Sequence, residues 1–233
     1  MARINKSTLT KREIIGVASR MFLEKGYTAT TIKAISNELE MSTGNLTFYF
    51  HSKEHLLAEL VETLGAFQWE LMAREADEGL SSLMAICLEL AAMAAMCEDN
   101  PVAKDFYLST YTNPMTLEII RKNDAHRAMQ VFGNHLPHWT EENFRAAEVL
   151  VSGIEYATLM TTESAPSLEV RIAGALNHIL QIYHIPEETR KRKIDRVLSM
   201  DYRGIGSRVF RDFLEFVEQN NEQAMEALLS HRK

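Results

Sequence analysis

The stretch that most constrains this chain lies between residues 11 and 53, where helical patterning stops and restarts within short spans. Residues 11–25 set Ile14, Ile15, Ala18, Met21 and Phe22 on one apolar stripe at helical spacing. Lys25 followed by Gly26 is a stop signal: a cation in the last turn, then a residue free to take positive φ. A second helix is expected from Thr30 or Thr31, whose hydroxyls can cap exposed backbone N–H groups, with Ile32, Ile35 and Leu39 turned inward. Met41 falls between this helix and the next as an apolar plug. Ser42 is a natural N-cap for a third helix over residues 43–50, and Ser52 for a fourth that opens with Lys53 and Glu54. Two short helices joined by a turn make a helix-turn-helix, whose second member is built to enter a DNA major groove.

On that third helix Leu46 and Phe50 are four apart and hold it to the core, which leaves Thr43, Gly44, Asn45, Thr47 and Phe48 on or near the exposed arc. These five are the candidate base-contacting residues. Gly44 lets the backbone approach a base edge, Asn45 donates and accepts at once as adenine requires, and a threonine offers a hydroxyl or a methyl for thymine. Thr31, Ser42, Tyr49 and Lys53 suit phosphates, which position a protein without reading sequence.

The run from Lys11 to Leu60 resembles the DNA-binding domain of the TetR family of bacterial transcription regulators. The resemblance is carried by Phe22, Lys25, Gly26 and Tyr27 at the exit of the first helix, by Thr43 to Leu46, and by Tyr49 to Glu54. It covers roughly the first quarter of the chain. Members usually carry glycine in the turn where this chain has Glu40, so the glutamate must accept that geometry or the turn differs. Thr47 and Phe48 also depart from the commoner residues of the recognition helix, so the operator does not carry over. The resemblance implies an all-α protein with a helix-turn-helix domain over residues 1–53 and a larger helical ligand-binding and dimerisation domain over 54–233.

Charge divides along the same line. Residues 1–53 carry +4 while the whole chain carries −7, which leaves −11 on residues 54–233. A basic head on an acidic body suits a protein that docks one end on DNA. Arg3, Lys6, Lys11 and Arg12 precede the first acidic residue and are expected to form a flexible basic arm. No apolar run reaches the roughly 18 residues of a membrane span, and the basic, polar start lacks a signal-peptide pattern. A cytoplasmic protein without membrane contact is expected. Cys87 and Cys97 are the two cysteines, expected to be buried reduced thiols.

Beyond residue 53 the pattern is helix after helix, punctuated by Asn100-Pro101, Asn113-Pro114, Leu136-Pro137, Ala165-Pro166 and Ile185-Pro186. Period-two apolar runs are absent, so no sheet is expected. By the resemblance, two long helices per subunit pack into a four-helix dimer interface. Residues 141–162 and 167–183 are the candidates, through Phe144, Ala147, Leu150, Val151, Ile154 and Leu159, and through Ile172, Leu176, Ile179 and Ile182. Residues 186–233, with Arg208, Phe210, Phe213, Leu214, Phe216 and Val217, either extend that interface or roof a cavity.

The resemblance also implies a cavity for a small, partly apolar ligand. Met93, Met96, Phe106, Tyr107, Tyr111, Met129, Trp139, Tyr156 and Met160 are its candidate lining, within a wider set that adds Met72, Met84, Met115 and Phe132. His135 and His138 flank Pro137 near Glu141 and Glu142, but an incomplete ligand set makes them loop histidines rather than a metal site. No cofactor is expected. A phosphate loop, a Gly-x-Ser-x-Gly elbow and an activated Cys/His pair are all missing from the sequence. The expected function is therefore a ligand-responsive DNA-binding regulator, most simply a homodimeric repressor released from a palindromic double-stranded operator. The alternatives are a DNA binder whose body takes a protein partner, and an all-helical enzyme.

Overall fold

The first three helices close around one turn chemistry after another. In the computed structural model, which describes residues 6–77 and 80–230, α1 (Lys6–Lys25) ends at Gly26, whose φ of +91° and N–H bond to the Phe22 carbonyl (3.1 Å) turn the chain. Buried Thr30 then donates its hydroxyl to the Gly26 carbonyl at 2.8 Å and reaches the Met21 carbonyl at 3.2 Å, locking that turn. The hydroxyl of Thr31 accepts from Ala34 N at 3.0 Å and caps α2 (Ile32–Glu38).

The exit from α2 settles the question that Glu40 raised. The N–H of Met41 bonds the Ser36 carbonyl (2.9 Å) and that of Glu40 the Asn37 carbonyl (3.1 Å), the paired bonds of a Schellman ending. Its left-handed position is filled by Glu40 at φ +52°. The glutamate keeps the usual geometry and bears its strain, roughly 1–2 kcal/mol for a residue with a Cβ.

Helix α3 (Thr43–Tyr49) is capped by Ser42, whose hydroxyl accepts from Asn45 N at 3.1 Å. The long α4 (Lys53–Asp77) leaves this head and enters the body. There follow α5 (Ser82–Asp99), α6 (Pro101–Thr112), α7 (Pro114–Phe132), α8 (Glu141–Leu159), α9 (Leu168–Ile182), α10 (Glu187–Leu198) and α11 (Tyr202–Ser230). Asn100 and Asn113 each cap the helix that a proline opens, their side-chain oxygens accepting two backbone N–H groups apiece. The chain is all-α, and no strand occurs among the described residues.

Two apolar clusters carry the packing. One joins Ile14, Phe22, Ile35, Leu46, Phe50 and Leu57 of the head to Phe106, Phe210, Phe213 and Val217. The other fills the body between α5, α7, α8, α9 and α10. Residues after 200 thus take a specific place: α11 lies on both α5 and α1, with Gly206 against the Ala92 carbonyl and Gly16 against Asn221. Phe213 meets Phe67 at 5.3 Å between ring centroids.

Two expectations change in detail. Lys6, Lys11 and Arg12 belong to α1 rather than to an arm, because the helix is already formed at Lys6. Arg3 and the side chains of Lys6 and Met72 lie outside the described residues. The single stripe expected on residues 141–162 is two stripes. Phe144, Ala147, Val151 and Leu159 are buried in the subunit's own core, while Leu150 is 60 % exposed. Together with Val149 it forms a second, outward apolar face.

Candidate DNA-reading face and ligand cavity

Helix α3 is fixed from behind and free in front. Leu46 is fully buried and Phe50 nearly so, while Thr43, Gly44 and Asn45 are exposed and Phe48 projects with 75 % of its surface in solvent. A Cβ built on Gly44 meets nothing within 4 Å, so the protein itself places no steric demand on that glycine. Half-buried Thr47 donates its hydroxyl to the Thr43 and Gly44 carbonyls (3.0 and 3.2 Å), which leaves its methyl and an acceptor lone pair for a neighbour. Phe48 meets Tyr49 edge-on at 5.4 Å.

The four residues assigned to phosphates sit differently from one another. Thr31 and Ser42 spend their oxygen lone pairs on capping and keep a hydroxyl proton to donate. Tyr49 is half-buried. Lys53 is bound into the head: its ammonium donates to the Tyr27 and Thr30 carbonyls (2.9 and 3.0 Å) and lies 3.9 Å from the centroid of the Tyr27 ring. Burial holds this ammonium below its ordinary pKa. Tyr27 in turn reaches Glu54 at 3.3 Å, so the start of α4 is tied to the turn after α1.

The head is tied to the body at a second place. Asp105, on α6, accepts from the backbone N–H of Thr28 at 2.8 Å and from its hydroxyl, directly beside Gly26. Six residues further along the same helix, Tyr111 lines a cavity inside the body.

That cavity lies among α5, α7, α8 and α9, with Gln68 of α4 and Tyr111 of α6 at its edge. Its apolar wall includes Ile86, Leu90, Met93, Phe132, Val151, Leu176 and Ile179, and its polar wall is Glu89, Asp124, Arg127, Glu148, Glu155 and Tyr183. Arg127 pairs with Glu89 and, at 3.1 Å, with Asp124. Gln68 donates to Glu89 at 2.5 Å, so α4 joins the same polar chain. Burial raises Asp124 to about 6 and Glu148 to about 8, and lifts Glu155 well above the usual carboxylate range. The Cys87 and Cys97 thiols are buried and pushed up to about 12, so both stay protonated.

Of the residues expected to line a ligand site, Met93 and Tyr111 face this cavity, as does Phe132 of the wider set. Met93, Met96 and Tyr107 border an adjoining space under α11, beside Phe67 and Phe210. Phe106 is wholly buried in the head's cluster. Met129 and Trp139 pack against the body core, with Trp139 edge-on to Phe144 at 5.1 Å. Tyr156 is half-buried outside the cavity wall, Met84 is core, and Met160 and Met115 are 49 % and 39 % exposed. The acidic wall went unforeseen. Its signal was present on α8, where Glu148 and Glu155 fall at helical spacing with Phe144 and Val151, on a face otherwise destined for the core.

Residues 14–60 match the family described as "Bacterial regulatory proteins, tetR family". The HTH-type transcriptional regulator QacR of Staphylococcus aureus (strain Mu50 / ATCC 700699) is 40 % identical over 63 residues, which is 26 % of this chain and 34 % of that protein. The matched part thus spans about a third of the relative's length. Among solved structures, a gamma-butyrolactone receptor (ArpA-like protein) is 19 % identical, with 89 % of this chain and 98 % of that one covered and a TM-score of 0.41. Full-length native tylp, a tetr regulator from Streptomyces fradiae, is 19 % identical over 83 % and 91 % of the two chains, with a TM-score of 0.46. CprB from S. coelicolor A3(2) is 23 % identical over 86 % and 97 %, with a TM-score of 0.40.

Proposed function

We propose that this chain, whose residues 14–60 match the tetR family of bacterial regulatory proteins, is a dimeric, operator-reading transcriptional regulator controlled by a small molecule in its body. The observation that carries this reading is the α3 surface: a capped helix, pinned by Leu46 and Phe50, that offers Thr43, Gly44, Asn45 and Phe48 to solvent. Among the described residues, Thr43, Gly44, Asn45 and Phe48 stay exposed on that arc, the kind of helix surface that enters a major groove. Asn45, Thr47 and Phe48 are assigned to bases, and Thr31, Ser42 and Tyr49 to phosphates. Lys53 serves the head first, and one remaining N–H of its ammonium serves a phosphate.

Dimerisation is assigned to the outer faces of α8 and α9. Val149, Leu150 and Val170 are each more than half exposed, and a Cβ added at Gly153 or Gly174 would meet only open space. Large apolar side chains interleaved with small ones form a self-complementary face of the kind a two-fold axis needs. Two heads so related reach successive major grooves, and the operator is an approximate palindrome.

The route from cavity to head runs through two helices. Tyr111 and Asp105 share α6, so a guest that displaces Tyr111 also shifts the grip on Thr28. Gln68 carries the same disturbance along α4, whose first residue holds the Tyr27–Thr30 turn. Ligand and DNA then favour different head spacings, and each weakens the other by one coupling energy. Repression relieved by ligand is the simplest output of such a switch.

Fluorescence anisotropy with the gene's own upstream DNA and with random DNA, at two salt concentrations, tests the reading. Salt-sensitive binding well above random DNA is expected. Equal, weak binding to both refutes operator reading and moves a protein partner for the body to the front.

A further inference from the structure

The body cavity carries more carboxyls on its wall than its arginine pairs. Arg127 serves Glu89 and Asp124. Glu148 and Glu155 are left with phenols: Tyr183 donates to Oε1 of Glu148, and Tyr111 to Oε2 of Glu155 at 2.9 Å. The other nearby cation, Arg121, is turned to Ser152 Oγ at 2.9 Å. Glu148 is 2 % exposed and lines the cavity, and its second oxygen, Oε2, has no hydrogen-bond partner. A buried carboxyl oxygen without a partner is costly in either protonation state, as an acceptor lacking a donor when ionised and a donor lacking an acceptor when protonated, and it marks the place where a partner is missing.

We propose that the cavity binds a protonated amine carried on an apolar body, with the ammonium N–H given to Glu148 Oε2 and its charge balanced by Glu148 and Glu155. The assignment deepens the regulator reading by naming the class of effector, while the binding chemistry stands apart from what the binding controls. Other guests fit the walls less well. A neutral molecule pairs Oε2 only while Glu148 stays protonated and brings no counter-charge to the acidic wall, and an anion adds to the acidic excess. For a bare metal ion, the described residues offer no group of three His, Cys, Asp or Glu side chains placed to hold it. The apolar part has its own surface: Phe132 and Tyr183 stack at 4.1 Å between centroids, 7° from parallel, beside Met93, Val151 and Ile179. Such rings accept an apolar body and attract a cation over their faces. The cavity volume is about 60 Å³, room for a few waters. A larger guest therefore parts the walls, and the displacement reaches Tyr111 and Gln68.

Binding is coupled to proton release. Burial, reinforced by the charge of Asp124 on α7, keeps the carboxyls of Glu148 and Glu155 protonated near neutral pH. The groups facing them are Arg121, Asp124 and Arg127 of α7, Glu89 of α5, Tyr111 of α6 and Tyr183 beyond α9. An ammonium placed between the two carboxyls reverses the balance and favours their ionised forms. The amine enters with its proton, and the two acids give theirs to solvent.

The test is calorimetric titration of the full chain with 1-naphthylmethylamine and with its neutral counterpart 1-naphthylmethanol, at pH 7 in two buffers of different ionisation enthalpy. The amine is expected to bind at least about tenfold more tightly than the alcohol, with one to two protons released. In Glu148→Gln, folding checked by thermal unfolding at pH 6, both the affinity gap and the proton release should shrink. Equal or tighter binding of the alcohol, amine binding without proton release, or no amine binding overturns the proposal, and none of these readings needs the variant. Anisotropy with operator DNA separates the two claims. Amine binding as expected with DNA affinity unchanged keeps the cavity assignment and removes its regulatory role. Release of DNA by the alcohol alone does the reverse.

Discussion

Glu148→Gln makes the fold less sensitive to alkali, and the size of the effect follows from where the carboxyl sits. Its pKa is raised by burial from about 4.5 in the unfolded chain to about 8 in the fold. The sign is opposite to that of a salt-bridged acid. Between those two values the folded state holds a proton that the unfolded state has lost, so stability falls as pH rises through the window and levels above about 8. Each pH unit inside the window removes about 1.4 kcal/mol. Between pH 6 and 8 the loss is on the order of 2–3 kcal/mol, or roughly 5–10 °C in Tm for a chain of this size. Glutamine keeps the shape and an acceptor for the Tyr183 hydroxyl but cannot ionise. The variant should match wild type within about 1 kcal/mol at pH 6 and be the more stable of the two at pH 8. Thermal unfolding of both proteins at fixed concentration across pH 5–9 gives the answer as a difference curve, in which titrations remote from Glu148 cancel and those of Asp124 and Glu155, which feel its charge, move with it. A flat difference curve would refute a protonated, buried Glu148.

Gly44→Ala meets nothing in the subunit and adds helix propensity, so the fold should gain up to about 1 kcal/mol while operator affinity drops. Unchanged affinity by anisotropy would take the groove away from that position. Glu40→Gly should leave Tm unchanged or raise it slightly, since relief of about 1–2 kcal/mol of left-handed strain is partly offset by glycine's unfolded-state entropy. Glu40→Val, β-branched in the same turn, should lower it. Leu150→Glu should leave the circular dichroism spectrum intact and convert dimer to monomer in sedimentation at micromolar protein. Burying a carboxylate from each subunit at a two-fold face costs several kcal/mol per charge, and a persisting dimer would move the interface elsewhere.

Local rules made most of the helix starts readable. Thr31 and Ser42 each announce a helix because a short polar side chain must meet exposed N–H groups, and each does so in the structure; Asn100 and Asn113, read as breaks before a proline, prove to cap the helix that follows. The rule fails at two places: at Glu40 the hydrogen-bond pattern of the turn outweighs the preference for glycine, and Ser52, expected to cap α4, pairs its hydroxyl with His55 Nδ1 at 2.9 Å. The cavity was hidden for a different reason. Glu89, Asp124, Glu148 and Glu155 lie far apart in sequence, and a carboxylate on an apolar stripe reads as the edge of a solvated face until the neighbouring helices are in place. Leu150 misled for the converse reason: α8 is apolar on two sides, and helical spacing cannot tell the side that meets its own core from the side that does not.

The packing of α11 across α1 bears on the order of events during synthesis. Phe213 and Val217 complete the apolar cluster that begins with Ile14 and Phe22. Some two hundred residues separate the two halves of that contact, and such distant pairings form late. While the ribosome is still extending the chain, the emerging head has an open flank, and α3 rests on an unfinished base. A chain halted early presents that flank to chaperones and proteases, and the chain whose last helix has docked is the one with a finished head.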